Sequence, residues 1–417
     1  MSGMNMALGE VWGISEFRRL LIGNCINMLG GSIFIIGMSW TVASSEGAMA
    51  YGMIFTAYFL GHLPLLFYGG MVVDRIPRRT VALIADLAQA VLVMLAISAL
   101  VIGLDEFRTL LIVTFLTGGA GAFSIPAIGA LVPDLVDEEL LPQANSLRGI
   151  AMTFAWMMGP LIGGFTVGKW GIEICLLIDF FTFIISGAIL WTISKVPIDR
   201  VSLDGESMGE IAEAWDFVRT QPWLIAGISI FMVWHIGESA IDIGIPFIIE
   251  DKGLGANEFG LFGAIGAGGA MIGSLVAGLR PVPKETRGLI FYVLIGVCSW
   301  SMLMYAMPLP FWLILFFALV QGTMGGMMGV IWRTTMSDSV DQHLRGRVNS
   351  LDAIGSLIFI PLAPFLGGWM IETTNVITTY SVAVSFMVLA TMFGLLVPKF
   401  RHFDRIETER FPILESN

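Results

Sequence analysis

Between residues 234 and 244 the chain reads WHIGESAIDIG, which places His235, Glu238 and Asp242 in an otherwise apolar run from about Trp223 to Ile249. On an α-helix of 3.6 residues per turn the three fall within an arc of about 60°. Two carboxylates and an imidazole on one stripe could exchange a proton, hold a substrate cation or ligate a metal ion. Proton exchange needs carboxylates that take up a proton near neutral pH, which desolvation and mutual repulsion arrange. Cation binding needs the same carboxylates charged. A metal site would use all three side chains, but no second ligand cluster stands elsewhere in the sequence, and no metal is assigned. A structural polar network is the remaining alternative.

The elements that must position this stripe follow from composition. The chain has 417 residues, 56% hydrophobic and only 13% charged, with a mean hydropathy of +0.82. A soluble protein needs charged residues to cover its outside, so this is an integral membrane protein. A net charge of −11 lacks the basic footprint that nucleic acid requires. Cys25, Cys175 and Cys298 form neither a disulfide framework nor a metal motif and are read as packing residues. The first apolar run is too long for a cleaved leader and lacks a cleavage site, so it is read as the first span. Each carboxylate at the centre of a membrane helix costs about 2.5–3.5 kcal/mol. Three ionisable residues on one face therefore belong beside a water-filled cavity.

A hydrocarbon core about 30 Å thick takes about 20 apolar residues in a helix. Runs of that kind predict twelve spans, near 19–44, 50–73, 80–103, 109–132, 146–168, 172–195, 222–249, 257–279, 288–306, 310–332, 349–371 and 377–397. An even number puts both termini on one side. Most basic residues share that side, from Arg18 and Arg19 through Arg75, Arg78 and Arg79, Lys195, Arg200 and Arg219 to Lys399, Arg401, Arg405 and Arg410. The other side carries only Arg108, Lys169 and Lys252, so the termini are expected to be cytoplasmic. The longest loop divides the chain into a six-helix bundle (1–195), a cytoplasmic linker (196–221), a second six-helix bundle (222–397) and a cytoplasmic tail (398–417). In the linker, Ile211, Trp215, Phe217 and Val218 are spaced for an amphipathic helix lying on the membrane surface.

The two halves repeat. Residues 144–165 read ANSLRGIAMTFAWMMGPLIGGF and residues 348–369 read VNSLDAIGSLIFIPLAPFLGGW. Without a gap, Asn145, Ser146 and Leu147 fall on Asn349, Ser350 and Leu351, and Pro160, Gly163 and Gly164 fall on Pro364, Gly367 and Gly368. Two homologous bundles suggest a transporter, in which a site between the repeats is exposed alternately to the two sides.

The loop between spans two and three, Gly70-Met-Val-Val-Asp74-Arg75-Ile-Pro77-Arg78-Arg79, resembles the signature of the major facilitator superfamily, with Pro77 where that family has Gly. The resemblance covers the whole chain. It implies an all-α membrane protein of twelve transmembrane helices in two pseudo-symmetric six-helix bundles, with spans one, four, seven and ten lining the cavity. It also implies a gate made by Gly70, Asp74, Arg75, Arg78 and Arg79. Asp74, held by Arg78, would face the start of span eleven near Val348 and Asn349 and stabilise the outward-facing state; a helix N-terminus holds a carboxylate well. Met158-Gly159-Pro160-Leu-Ile-Gly163-Gly164, with Ala155 at the leading Gly position, resembles the antiporter motif of the drug-exporting branches. Small residues in such a motif also let helices approach closely in lipid. ALVPDLVDEELLPQANSLRG (130–149) and EAWDFVRTQPWL (213–224) resemble the branch of macrolide-efflux and enterobactin-export proteins. One departure bears on coupling. Proton-coupled members often carry an Arg in span four ahead of a Gly-rich stretch. Here Gly118-Gly119-Ala-Gly121 is preserved, but an apolar residue such as Phe115 stands at that position. Proton coupling must then rest on span seven.

Further cavity-lining candidates are Asn24 and Asn27 in span one, Thr117 and Ser124 in span four, Asp179 in span six and Gln321 in span ten. His62 stands alone and is read as a hydrogen-bonded helix residue. Asp86, Asp134, Asp352 and Arg333 are expected near cytoplasmic span ends, with pairing to Arg75 or Arg148 as the simplest explanation. A cavity rich in Met and aromatic residues, with an acidic stripe, suits amphipathic or cationic compounds. The reading is therefore a secondary active exporter of drugs or metabolites by proton antiport. A siderophore or lysophospholipid transporter of the same fold, or a non-transporting receptor or scaffold, is the alternative. The expected partners are a small-molecule substrate, protons and the lipid bilayer, and the expected unit is a monomer in the cell membrane. No cofactor or enzymatic constellation is expected.

Overall fold

The computed structural model describes residues 9–194 and 208–396, and every regular element among them is helical. The first six spans are Ser15–Glu46, Ala48–Val73, Arg78–Val101, Glu106–Leu135, Leu141–Trp170 and Ile172–Thr192. The linker helix Met208–Thr220 follows, and spans seven to ten are Pro222–Asp251, Ala256–Leu279, Lys284–Tyr305 and Phe311–Ser339. Span twelve is Val376–Leu396. Eleven of the described helices are long and apolar enough to cross a membrane.

Span eleven is the exception. Instead of one helix over 349–371 there are two, Gln342–Leu357 and Ala363–Thr373. Pro361 has no N–H to give the Leu357 carbonyl, and its ring clashes there, so the helix ends at that residue. Pro364 then sits in the first turn of the second helix, where its missing N–H costs nothing.

Tight turns at one end of the molecule join spans one to two, three to four, five to six and seven to eight. Each contains a glycine at positive φ, namely Gly47, Gly103, Gly171 and Gly253, a conformation that a Cβ disfavours. At this end the two halves share one apolar core, where Ile33, Val42, Tyr51 and Ile54 pack with Ile243, Ala256 and Ile371. At the opposite end the cores are separate. Phe17, Leu20, Val81 and Leu131 belong to one, and Phe231, Phe291, Trp332 and Val348 to the other. The halves are thus sealed together at one end and splayed at the other.

The seal explains the repeated Pro/Gly pattern. Gly159 abuts Ser32 and Gly163 abuts Ile33, both on span one, while Pro160 and Gly164 lie against Gly260 and Ala256 of span eight. In the second half Gly367 abuts Ala240 of span seven, and Pro364 and Gly368 lie against Gly52 and Ala48 of span two. Each copy of the motif holds its own half with one face and the opposite half with the other. The backbone N–H of Met49 also donates to Glu372 Oε1 at 2.9 Å across this seam.

The linker helix packs on the second half. Ala214 and Val218 are buried against the start of span seven and Gln342–Leu357, while Trp215 turns outward, 55% exposed. The i, i+4 pair on the inner face decided its orientation. Lys195, Arg200, the first part of the linker and the basic tail lie outside the described residues.

Candidate functional site

Glu238 stands about 24 Å along its helix from Pro222 and about 20 Å from Asp251, taking 1.5 Å per residue. The stripe is therefore central, and the neighbouring helices complete it. Gln321 of span ten donates from Nε2 to Glu238 Oε1 at 3.5 Å, a long contact. Cys298 of span nine lies within electrostatic range of Glu238. Around Asp242 the hydroxyls of Tyr51, Tyr305 and Tyr380 come from spans two, nine and twelve. Those three tyrosines are buried, yet Asp242 itself is solvent-exposed. An exposed carboxylate at mid-helix, with buried neighbours from three other spans, faces an internal space open to solvent.

Two backbone features add oxygen to this point. Pro246 has no N–H to give the Asp242 carbonyl four residues earlier, which leaves that oxygen without its helical partner. Tyr380 donates its hydroxyl to the Ile241 carbonyl, so the Tyr380 oxygen turns its lone pairs outward. The Tyr305 hydroxyl is buried with no hydrogen-bond partner among the described residues. Carboxylates, a freed carbonyl and phenol oxygens make a site that prefers positive charge.

His235 lies a turn nearer the splayed end. Its Nδ1 faces the Phe231 carbonyl at 2.7 Å. A carbonyl only accepts, so Nδ1 carries the hydrogen and Nε2 keeps its lone pair in the neutral ring. Asp352 is within electrostatic range of His235; it accepts from Trp332 Nε1 at 2.9 Å and from Ser356 Oγ at 3.2 Å. Phe231, Phe291 and Trp332 form an aromatic wall beside it, with ring centroids 5.2–5.6 Å apart.

The candidates from the first six spans divide. Asn27 Nδ2 donates to Asp86 Oδ1 at 3.0 Å and Ser186 Oγ to Asp86 Oδ2 at 2.7 Å, with Ser124 a further hydrogen-bond partner. Asp86 is completely buried and ties spans one, three, four and six together. This corrects the expectation of an arginine partner: Asp86 lies a full two turns inside span three, beyond the reach of the loop cations. Thr117 returns its hydroxyl to the Val113 carbonyl at 2.8 Å. Asn24 lies beside Met28 of its own helix and, with Arg148, lines a small internal void. Asp179 is 2% exposed and packs between spans, so it lines no open space; its Oδ1 has no partner among the described residues. His62 is buried, with Nδ1 3.0 Å from the Gly118 carbonyl. The three cysteines are free thiols.

The loop after span two also differs from expectation. Arg78 pairs with Asp134 and donates to the Ala130 carbonyl at 3.0 Å, so it does not hold Asp74. Arg79 donates to the carbonyls of Leu190 at 2.9 Å and Trp191 at 2.7 Å, a cation at the C-terminus of span six where the helix dipole favours it. Asp74 and Arg75 are exposed beside Gly70. The start of span eleven packs on span seven, the linker helix and span ten. The splay at this end carries it away from Asp74. The second half repeats the ion pair, Arg287 to Asp338 at 2.7 Å. Among the described residues no cluster of His, Cys, Asp and Glu is placed to hold a metal.

Comparison with known proteins agrees with this architecture. The chain is 25% identical over 396 residues to the multidrug efflux pump Tap of Mycolicibacterium fortuitum, covering 90% of this chain and 94% of that protein. It is 26% identical over 273 residues to macrolide efflux protein A of Streptococcus pyogenes, covering 63% of this chain and 66% of that protein. Among solved structures, a mutant of the nucleoside transporter NupG superposes with a TM-score of 0.75 at 13% identity, over 91% of this chain and 98% of that one. A bacterial homologue of the iron transporter ferroportin in an inward-facing state gives 0.66 at 16% identity, also over 91% and 98%. At such identities these structures speak for the fold alone. The family profile of the Major Facilitator Superfamily matches residues 20–355, and with the broken eleventh span, the doubled Pro/Gly seam and the central acidic stripe, it places this multi-pass membrane chain in that transporter superfamily.

Proposed function

We propose that the chain exports amphipathic or cationic small molecules, drugs or metabolites, in exchange for protons. The observation that carries this reading is the pair Glu238 and Asp242 at the middle of span seven, with Asp242 exposed beside tyrosines of both halves. A carboxylate pair that far from either membrane surface persists because it works there. The names of the relatives, a multidrug and a macrolide efflux protein, support the same reading.

In this account the termini are cytoplasmic, the membrane is the cell membrane, and the protein acts as a monomer. The bundles 1–195 and 222–397, joined by 196–221, rock as units. The sealed end faces outward, so the structure is inward-facing, and substrate reaches the acidic stripe from the cytoplasm. A cation binds between Glu238 and Asp242, with Gln321 orienting Glu238. When the seam of Gly164 and Gly368 parts and the opposite end closes, Asp74 meets the start of span eleven near Val348. Protons arriving from outside then take the cation's place, neutralising the carboxylates for the return.

The test is flux in liposomes of purified protein under an imposed pH gradient, with a fluorescent lipophilic cation and internal pH followed together. Native protein should move the cation against the proton flow, and Glu238→Gln or Asp242→Asn should abolish gradient-driven movement. Undiminished flux in both variants would remove the stripe from the mechanism.

A further inference from the structure

We infer that the crevice between spans five and eight, at the sealed end, is a binding site for one membrane phospholipid bearing a primary ammonium headgroup. A cavity of about 460 Å³ opens there, lined by Leu161, Ile162 and Phe165 of span five and by Asn257, Glu258 and Leu261 of span eight. None of these residues belongs to the acidic stripe. The three span-five residues are 38–50% exposed, so the crevice faces hydrocarbon and its floor suits an acyl chain.

Its rim is not apolar. Lys169 holds Nζ 5.6 Å from the Phe165 ring centroid and 4.8 Å from that of Trp170. A lysine laid over aromatic rings at the end of a span sits at headgroup depth, where Trp and Lys anchor membrane proteins. On the facing helix, Glu258 Oε2 accepts from the Gly255 N–H at 3.0 Å, and Oε1 has no partner among the described residues. The rim thus offers one cation on span five and one carboxylate on span eight. A zwitterionic headgroup matches it: phosphate toward Lys169, ammonium toward Glu258. A quaternary ammonium has no N–H to donate to the carboxylate, and an anionic headgroup would be repelled by it.

The site bridges the two halves. Gly164 and Gly260 cross immediately beside Leu161 and Leu261, so a lipid seated here spans the seam and is held only while the seam is closed. It acts as a resident ligand of this state rather than as cargo.

The test is native mass spectrometry of the full chain in mild detergent, titrated with phosphatidylethanolamine, phosphatidylcholine or phosphatidylglycerol of identical acyl chains. The first phosphatidylethanolamine should bind about fivefold or more tightly than the other two, the scale of one charge-assisted contact at a surface. Glu258→Gln, which keeps the acceptor for the Gly255 N–H, should erase that preference, and Lys169→Gln should weaken all three lipids. Leu161→Trp, filling the crevice from its lipid-exposed side, should remove the tight first binding event. Equal affinity for the three headgroups in the native chain, or an unaltered preference in Glu258→Gln with an unchanged melting temperature, would overturn the assignment and leave only the ordinary lipid annulus.

Discussion

Gly164 offers a direct test of the seam. A Cβ at this position would fall on the Ala256 carbonyl and lie 2.9 Å from Gly260 Cα and 3.0 Å from Gly260 N, where ordinary contact is 3.4–4 Å. All three are backbone atoms, so no side chain can swing aside, and the helices themselves must separate. Overpacking of this kind costs about 1–3 kcal/mol. The cost falls only on the state in which spans five and eight touch. At about 1.4 kcal/mol per decade, Gly164→Ala should move the equilibrium toward the seam-open state by a factor of about 5–150. Spin labels at Ser45 and Thr374, exposed residues at the sealed end of the two halves, would report it as a longer distance population in nanodiscs. Gly149→Ala, on the same helix with nothing within 4 Å of the added carbon, should leave the distribution unchanged. An unaltered distribution for Gly164→Ala in folded protein would refute the argument that this contact sets the closed state. An equal shift from Gly149→Ala would assign the effect to helix propensity instead.

Asp74→Asn should abolish transport while leaving expression and melting temperature unchanged, because Asp74 is exposed and unpaired with Arg78 in this state; normal flux would remove the latch from the cycle. Asp86→Ala should lower stability by about 1–3 kcal/mol, since it strands the donors of half-buried Asn27 and buried Ser186; an unshifted thermal midpoint in detergent would contradict the role assigned to the network. Tyr305→Phe should not lower stability, the buried hydroxyl having no partner to lose, yet should shift the pH dependence of transport. A large drop in melting temperature would mean that the hydroxyl has a structural partner.

Most of the helical frame was legible because lipid leaves few choices. Every backbone polar group must be satisfied within its own segment, so an apolar run of sufficient length is a helix, and eleven of twelve expected spans are continuous. The eleventh is broken at Pro361, a local breaker inside a run whose apolarity alone predicts one helix. Near Asp242 the sequence carries a local signal: Pro246, four residues on, frees the Asp242 carbonyl. Tyr51, Tyr305 and Tyr380 carried no such mark. They lie in three different spans, and nothing in their local sequence says that they meet.

The membrane, the helical frame, the doubled halves and the acidic stripe follow from hydropathy, helical period and repeat, all properties of neighbouring residues. Which groups share a site, and which end is sealed, depends on how distant helices pack. Arg78 took Asp134 rather than Asp74, Asp86 took Asn27 and Ser186 rather than an arginine, and Gln321 reached Glu238 from 83 residues away. Partner choice among buried polar groups depends on which helix faces come together, and close packing of glycine and proline at the seam fixed those faces at one end while leaving the other apart.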